Sequence, residues 1–229
     1  MLLTAQQRSL IERVVNVAES GSADGNCGAI SIYADGPHNI RQIIYGRSQT
    51  TEYGNLRKLV QMYVAAGGRY SAALAPYAPQ VGSVALTGDA TFRRLLRDAG
   101  RNDLVMRRIQ DQFFEEVYFN PDIRWGDDNG FVRALSALVI YDSFIHSGQI
   151  LWLLRQKFPE NTPAAGGDEE AWITPYVKAR HAWLSTHARP AVRKSSYRTA
   201  ALLAEIAAGN WDLATTPVCM NGTDVLPVT

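Results

Sequence analysis

Residues 10–45 read LIERVVNVAESGSADGNCGAISIYADGPHNIRQIIY, and their periodicity decides the fold. Leu10, Ile11, Val14, Val15 and Val17 fall on one face of a 3.6-residue repeat. With Thr4 as its cap, that face predicts a helix from about Ala5 to Ala18. Glu19 then sits at the C-terminal end, where the helix dipole disfavours a carboxylate. The Gly-, Ser- and Asp-rich run over 20–28 reads as a loop. Residues 29–33 read as a strand, 35–39 (DGPHN) as a strong turn and 40–45 as the returning strand.

Outward from that hairpin, the remaining pattern is helical. Leu56, Leu59, Val60 and Tyr63 mark a helix that Gly67-Gly68 ends, and a short segment covers 70–76. Thr87 or Asp89 caps the next helix, and Asp103 starts a long one through Val117. Residues 131–145 are apolar enough for a central buried helix. Residues 150–157 continue it after a break at Gly148, and helices over 169–185 and 195–208 follow. The expected class is mainly α with one small β-hairpin, an α+β arrangement.

Composition excludes other classes. With 46% hydrophobic and 20% charged residues, the chain is not a disordered one. No apolar run approaches the roughly 20 residues of a membrane span. The 23 Lys and Arg against 22 Asp and Glu leave a formal charge of +1, which gives no signal for nucleic acid. Residues 1–17 carry no signal-peptide pattern. Two cysteines, Cys27 and Cys219, are not a disulfide framework, and no CxxC or HExxH occurs, so no metal or cofactor is expected.

A helix ending in Glu19, a loop and a hairpin carrying Asp35 have a chemical use. An inverting glycosidase needs one protonated carboxyl for the leaving oxygen and one ionised carboxylate to activate water. Glu19 suits the first role and Asp35, in a solvated turn, the second. Both are also ordinary structural choices for a helix end and an Asp-Gly turn.

Several motifs, in order, give the chain a family likeness. They are Ala18-Glu19-Ser20, Asp35-Gly36, Leu59-Val60-Gln61-Met62-Tyr63, Val117-Tyr118-Phe119-Asn120-Pro121, Arg133-Ala134-Leu135 with Tyr141-Asp142, and the run from Thr162 to Glu169. Ala179-Arg180 and Gly209-Asn210-Trp211-Asp212-Leu213 complete the set. With them the chain resembles the family 46 glycoside hydrolases, the chitosanases, of the lysozyme-like superfamily. The resemblance implies a single lysozyme-like domain over 1–229. Two lobes would flank a substrate cleft, the minor lobe covering about 20–66 with the hairpin and the major helical lobe the remainder. It implies an endo-acting, inverting hydrolase of β-1,4 bonds in an amino-sugar polysaccharide, with Glu19 as acid and Asp35 as base. It also implies a buried Asp–Arg network behind the acid, which Asp142 and Arg180 match.

Departures from the family pattern keep alternatives open. No Thr follows Asp35-Gly36 at the step where the family places its water-holding hydroxyl, so Asn39 or Gln42 is the candidate water holder. Glu52 is the alternative base, with Thr50 and Thr51 as water-positioning hydroxyls, and Asp24 a weaker third. Tyr33 and Tyr45 are candidate sugar-stacking residues; Tyr53, Trp125 and Trp211 share that chemistry. Acids that the family sets before its second helix and before its Ala-Arg pair are replaced around 52–55 and by Lys178. Fewer acids mean less attraction for a polycation, so a muramidase acting on peptidoglycan, as an effector or phage-type lysin, is the alternative. A non-catalytic glycan-binding module on the same fold is the third. Arg93, Arg94, Arg97, Arg101, Arg107 and Arg108 form either an anionic-polymer surface or a solvated helix face. The expected partner is a polysaccharide, met outside the cytoplasm by a chain without a visible export signal.

Overall fold

Thr4 opens helix α1 (Ala5–Ser20) with a reciprocal cap: its hydroxyl accepts from Gln7 N (3.1 Å) while the Gln7 amide oxygen accepts from Thr4 N (2.9 Å). Gly21 closes the helix in the left-handed region at φ 74°, its N–H on Val17 O. The helix therefore runs two residues further than its apolar pattern, and Glu19 lies inside the last turn. The computed structural model describes residues 1–47 and 49–228. Within it the chain forms two compact units, Asp24–Val117 and, discontinuously, Met1–Ala23 with Tyr118 onward.

The continuous unit holds a three-stranded antiparallel sheet and most of the shorter helices. Strands β1 (Ile30–Tyr33) and β2 (Gln42–Tyr45) pair in the register Ile30↔Tyr45 to Tyr33↔Gln42. A third strand, β3 (Thr50–Thr51), pairs with Ile44 and Tyr45, so the expected hairpin is the first two strands of a sheet. Helices α2 (Leu56–Ala65), α3 (Ser71–Leu74), α4 (Ala90–Asn102) and α5 (Leu104–Phe114) follow. Asp89 caps α4 through Phe92 N (2.8 Å), and Asp103 caps α5 through Val105 N (2.9 Å). Leu56, Leu59, Val60 and Tyr63 of α2 are all buried, as are Phe92 and Leu96 of α4. This unit extends well past the boundary near residue 66 that the sequence suggests, because α4 and α5 pack with α2 and α3.

The long helix expected from Asp103 to Val117 is not uniform. After α5 the chain takes a π-helical turn over Glu115–Phe119 and enters α6 (Asn120–Asp128). Pro121 stands in the first turn of α6 and has no N–H to donate one turn back, which favours a local change of helical pitch.

The discontinuous unit is built around α7 (Ala134–Ser147), whose residues 134–143 are all buried. No side chain of its own segment caps its start. Instead Glu169 accepts from Val132 N (3.0 and 3.1 Å) and Arg133 N (2.8 Å). A short α8 (Trp152–Arg155) leads to α9 (Glu169–Thr186), then α10 (Pro190–Arg193) and α11 (Ser196–Ala207). The Thr162–Glu169 run is thereby explained: Asp168 caps α9 through Ala171 N (2.8 Å), and a Cβ on Gly167 would lie 1.8 Å from Asn161 O. A second hairpin, β4 (Val218–Met220) and β5 (Thr223–Val225), turns at Asn221-Gly222 with both φ positive and packs on α1. It was not anticipated. The class nevertheless stands as mainly helical with small antiparallel sheets.

Asp122 on α6 is 5% exposed, and its Oδ2 has no partner among the described residues. Burial pushes its carboxyl up to about 8. The folded chain then holds a proton that the unfolded chain releases near pH ~4. Its stabilising difference is complete below that pH and is lost as pH rises to about 8. Asp122→Asn should match wild type in urea at pH 4 and exceed it by more than ~1 kcal/mol at pH 8.5. Equal midpoints at the higher pH would contradict this.

Candidate active site

The discontinuous unit carries Glu19 in the last turn of α1, with its side chain 20% exposed. The turn is pinned from outside: Tyr197 donates to Ala18 O (2.7 Å), and Asn16 donates to Ala23 O (3.0 Å). The Arg198 Nη1 of α11 donates to Glu19 Oε1. Arg198 is itself buried, its Nε on Asp142 Oδ1 (2.9 Å) and its Nη2 2.6 Å from the same oxygen. The other Asp142 oxygen takes Arg180 Nη1 (2.5 Å), and Arg180 Nη2 reaches Asp142 O (3.3 Å). Two carboxyl groups and two guanidiniums thus alternate along one line, Glu19–Arg198–Asp142–Arg180.

The charge states follow from this packing. Burial pushes the Asp142 carboxyl up, but Arg198 and Arg180 together pull it well below the usual carboxylate range. Burial likewise works against the Arg198 cation, while Asp142 and Glu19 hold it firmly charged. His146, one turn further along α7, is pushed down to about 4 by burial and by both guanidiniums. At neutral pH it adds no third positive charge to the line. The expected pair of Asp142 and Arg180 is found together, but the link to Glu19 is Arg198. Its signal was present in the sequence, since Arg198 falls on the same helical face as Leu202 and Thr199, both buried.

The continuous unit carries Asp35 on the exposed loop between β1 and β2. Its Oδ1 accepts from Gln42 Nε2 (2.9 Å). The loop closes through Gly36 N on Ile40 O (3.0 Å) and passes His38 and Asn39 at φ 55° and 62°. A Cβ on Gly36 would come within 2.8 Å of Ile40 O and 3.4 Å of Gln42 Cδ. Glycine is needed there for the close approach. Tyr33 and Asn39 are exposed on the same hairpin.

Other expected site residues sit elsewhere in the packing. Glu52 is fully buried; its Oε2 accepts from Ile43 N (2.9 Å) and its Oε1 from Leu86 N (2.7 Å). A carboxyl group with both oxygens on backbone N–H groups and no exposure ties β2 to the segment at Leu86 and does not meet a water. Tyr45 is also core, its hydroxyl on Leu96 O (2.7 Å), and Thr50 is buried beside it. Neither can stack on or reach a sugar. Thr51 is half-buried on β3. Asp24 lies on the loop before β1, in a hollow of about 300 Å³ shared with Arg101 and Arg107. Cys27 and Cys219 are free thiols. Among the described residues no three His, Cys, Asp or Glu gather into a metal-binding group, and no helix is long and apolar enough to cross a membrane.

Residues 13–218 match the family model of glycosyl hydrolase family 46. The chain belongs to glycosyl hydrolase family 46. It is a glycoside hydrolase, then, and its relatives are consistent in kind. A chitosanase of Bacillus subtilis strain 168 is 25% identical over 197 residues, covering 78% of this chain and 68% of the relative. In three dimensions, a family 46 chitosanase of Gynuella sunshinyii in complex with chitotetraose superposes with a TM-score of 0.84 at 24% identity, over 100% of both chains. The native chitosanase of Bacillus subtilis MY002 gives 0.78 at 21% identity, again over 100% of each. At these identities the superpositions establish the fold that the family 46 chain shares with both.

Proposed function

We propose that the protein is an endo-acting, inverting hydrolase of β-1,4 bonds in an amino-sugar polysaccharide, acting outside the cytoplasm. Glu19 gives its proton to the leaving glycosidic oxygen. Asp35 takes a proton from the water that attacks the opposite face of the sugar, so the anomeric configuration inverts. The observation that carries this reading is the buried guanidinium on Glu19 Oε1, which fixes a partly exposed carboxyl at the end of α1. The exposure of Asp35 supports it as base, because a base must meet water. Chitosan is the substrate named for the relatives and is the first polymer to test.

A muramidase reading rests on a separate observation. Where the family pattern has acids, this chain places Asn55 and Lys178, and both are exposed. Exposed positions of that kind give no attraction for a glucosamine ammonium. Reducing ends counted from soluble chitosan and from purified peptidoglycan sacculi separate the two. Chitosan alone as substrate supports the first reading. Release from sacculi alone replaces the polymer and keeps the two-carboxyl chemistry. No release from either polymer overturns both.

A further inference from the structure

The residue across from Tyr33 in the β1–β2 register is Gln42, and it is 5% exposed. Both ends of its amide are used. Its Nε2 donates to Asp35 Oδ1 (2.9 Å), and its Oε1 accepts from Tyr53 N (3.3 Å). These two contacts fix which end is which. A flipped amide would set oxygen against a carboxylate and an NH2 group against a backbone N–H. The adjoining backbone is held as firmly, with Glu52 Oε2 on Ile43 N (2.9 Å) and Glu52 N on Ile43 O (2.8 Å). The dipeptide Glu52-Tyr53 therefore grips both the strand beside Gln42 and the Gln42 side chain.

We propose that Gln42 is the positioning residue for Asp35, a reading that rests on Asp35 as the base. A carboxylate on an exposed loop turns freely unless something holds it. Here a buried, oriented amide holds Oδ1 and leaves Oδ2 to take the proton from water. Gln42 touches neither substrate nor water in this role; it acts through Asp35.

Two variants of similar length test this on whichever polymer is cleaved. Gln42→Met removes the donor, and Gln42→Glu puts an acceptor and a like charge in its place while still accepting from Tyr53 N. Both should lower kcat about 10- to 100-fold with KM within about twofold, since orientation and not binding is lost. Activity of Gln42→Glu should also set in at higher pH than that of wild type. A structural role alone would lower the melting temperature without moving that onset, and the onset is readable below the melting temperature even in a less stable variant. Asp35→Asn is the reference. If it is inactive while both Gln42 variants keep wild-type kcat and pH onset, the positioning role is overturned and the base stands. If Asp35→Asn stays active, the base assignment falls and the Gln42 role with it.

Discussion

Glu19→Gln should lower kcat at least about a thousandfold and leave the melting temperature close to that of wild type. General acid catalysis contributes about 10²–10⁴ in rate, and a sugar alkoxide is a poor leaving group, which places this case toward the upper end. An amide has the same shape and still offers an oxygen to Arg198 Nη1. It has no acidic proton to give. Arg198 also remains paired with Asp142 through Nε and Nη2, so the buried cation does not lose its main partner. Reducing-end kinetics and a thermal melt on the same preparation check both halves. A variant within tenfold of wild-type kcat would remove Glu19 from the acid role.

Asp142→Asn should lower stability as well as activity, at a cost of about 3–5 kcal/mol at pH 7. Asp142 is 1% exposed and is the shared partner of Arg180 and Arg198. Replacing it leaves the buried Arg180 guanidinium without its carboxylate partner and Arg198 with Glu19 alone. Activity falls too, because the side chain that holds Glu19 loses its own support. The wild-type carboxyl lies below its ordinary value, so its contribution is present above pH ~4 and disappears as pH falls through the folded-state value. Urea midpoints at pH 7 and pH 3 measure this. The gap between wild type and Asp142→Asn should narrow at the lower pH, and an unchanged midpoint at pH 7 would contradict the assignment.

The first helix, the first hairpin and the buried central helix were legible because each rests on local periodicity and a turn or cap residue. The second hairpin carried a strong local signal, Asn221-Gly222, but its strands of three residues are too short for an alternation to stand out. Arg198 and Arg180 show a different kind of legibility. Each interrupts an apolar helical stripe, Arg180 between Tyr176 and Leu184, and a charge in such a place implies a buried partner. Which partner it is depends on tertiary packing. Glu52 was not legible at all. Its carboxylate serves Leu86, which lies 34 residues away in the chain, and no spacing announces that a short strand is followed by a structural acid. Tyr45 failed for a related reason: a tyrosine on a strand reads alike whether its hydroxyl meets a sugar or the carbonyl of Leu96.

The division of the chain has a consequence for its biosynthesis. Asp24–Val117 is one unbroken run, so the unit bearing Asp35 can complete its contacts while the ribosome is still adding residues. The other unit cannot. Its helix α1 is made well before α7 and the strands at 218–225 that pack on it. Glu19 is made 179 residues before the guanidinium that holds it. A nascent chain thus completes the unit bearing Asp35 long before the side chain that holds Glu19 has been added.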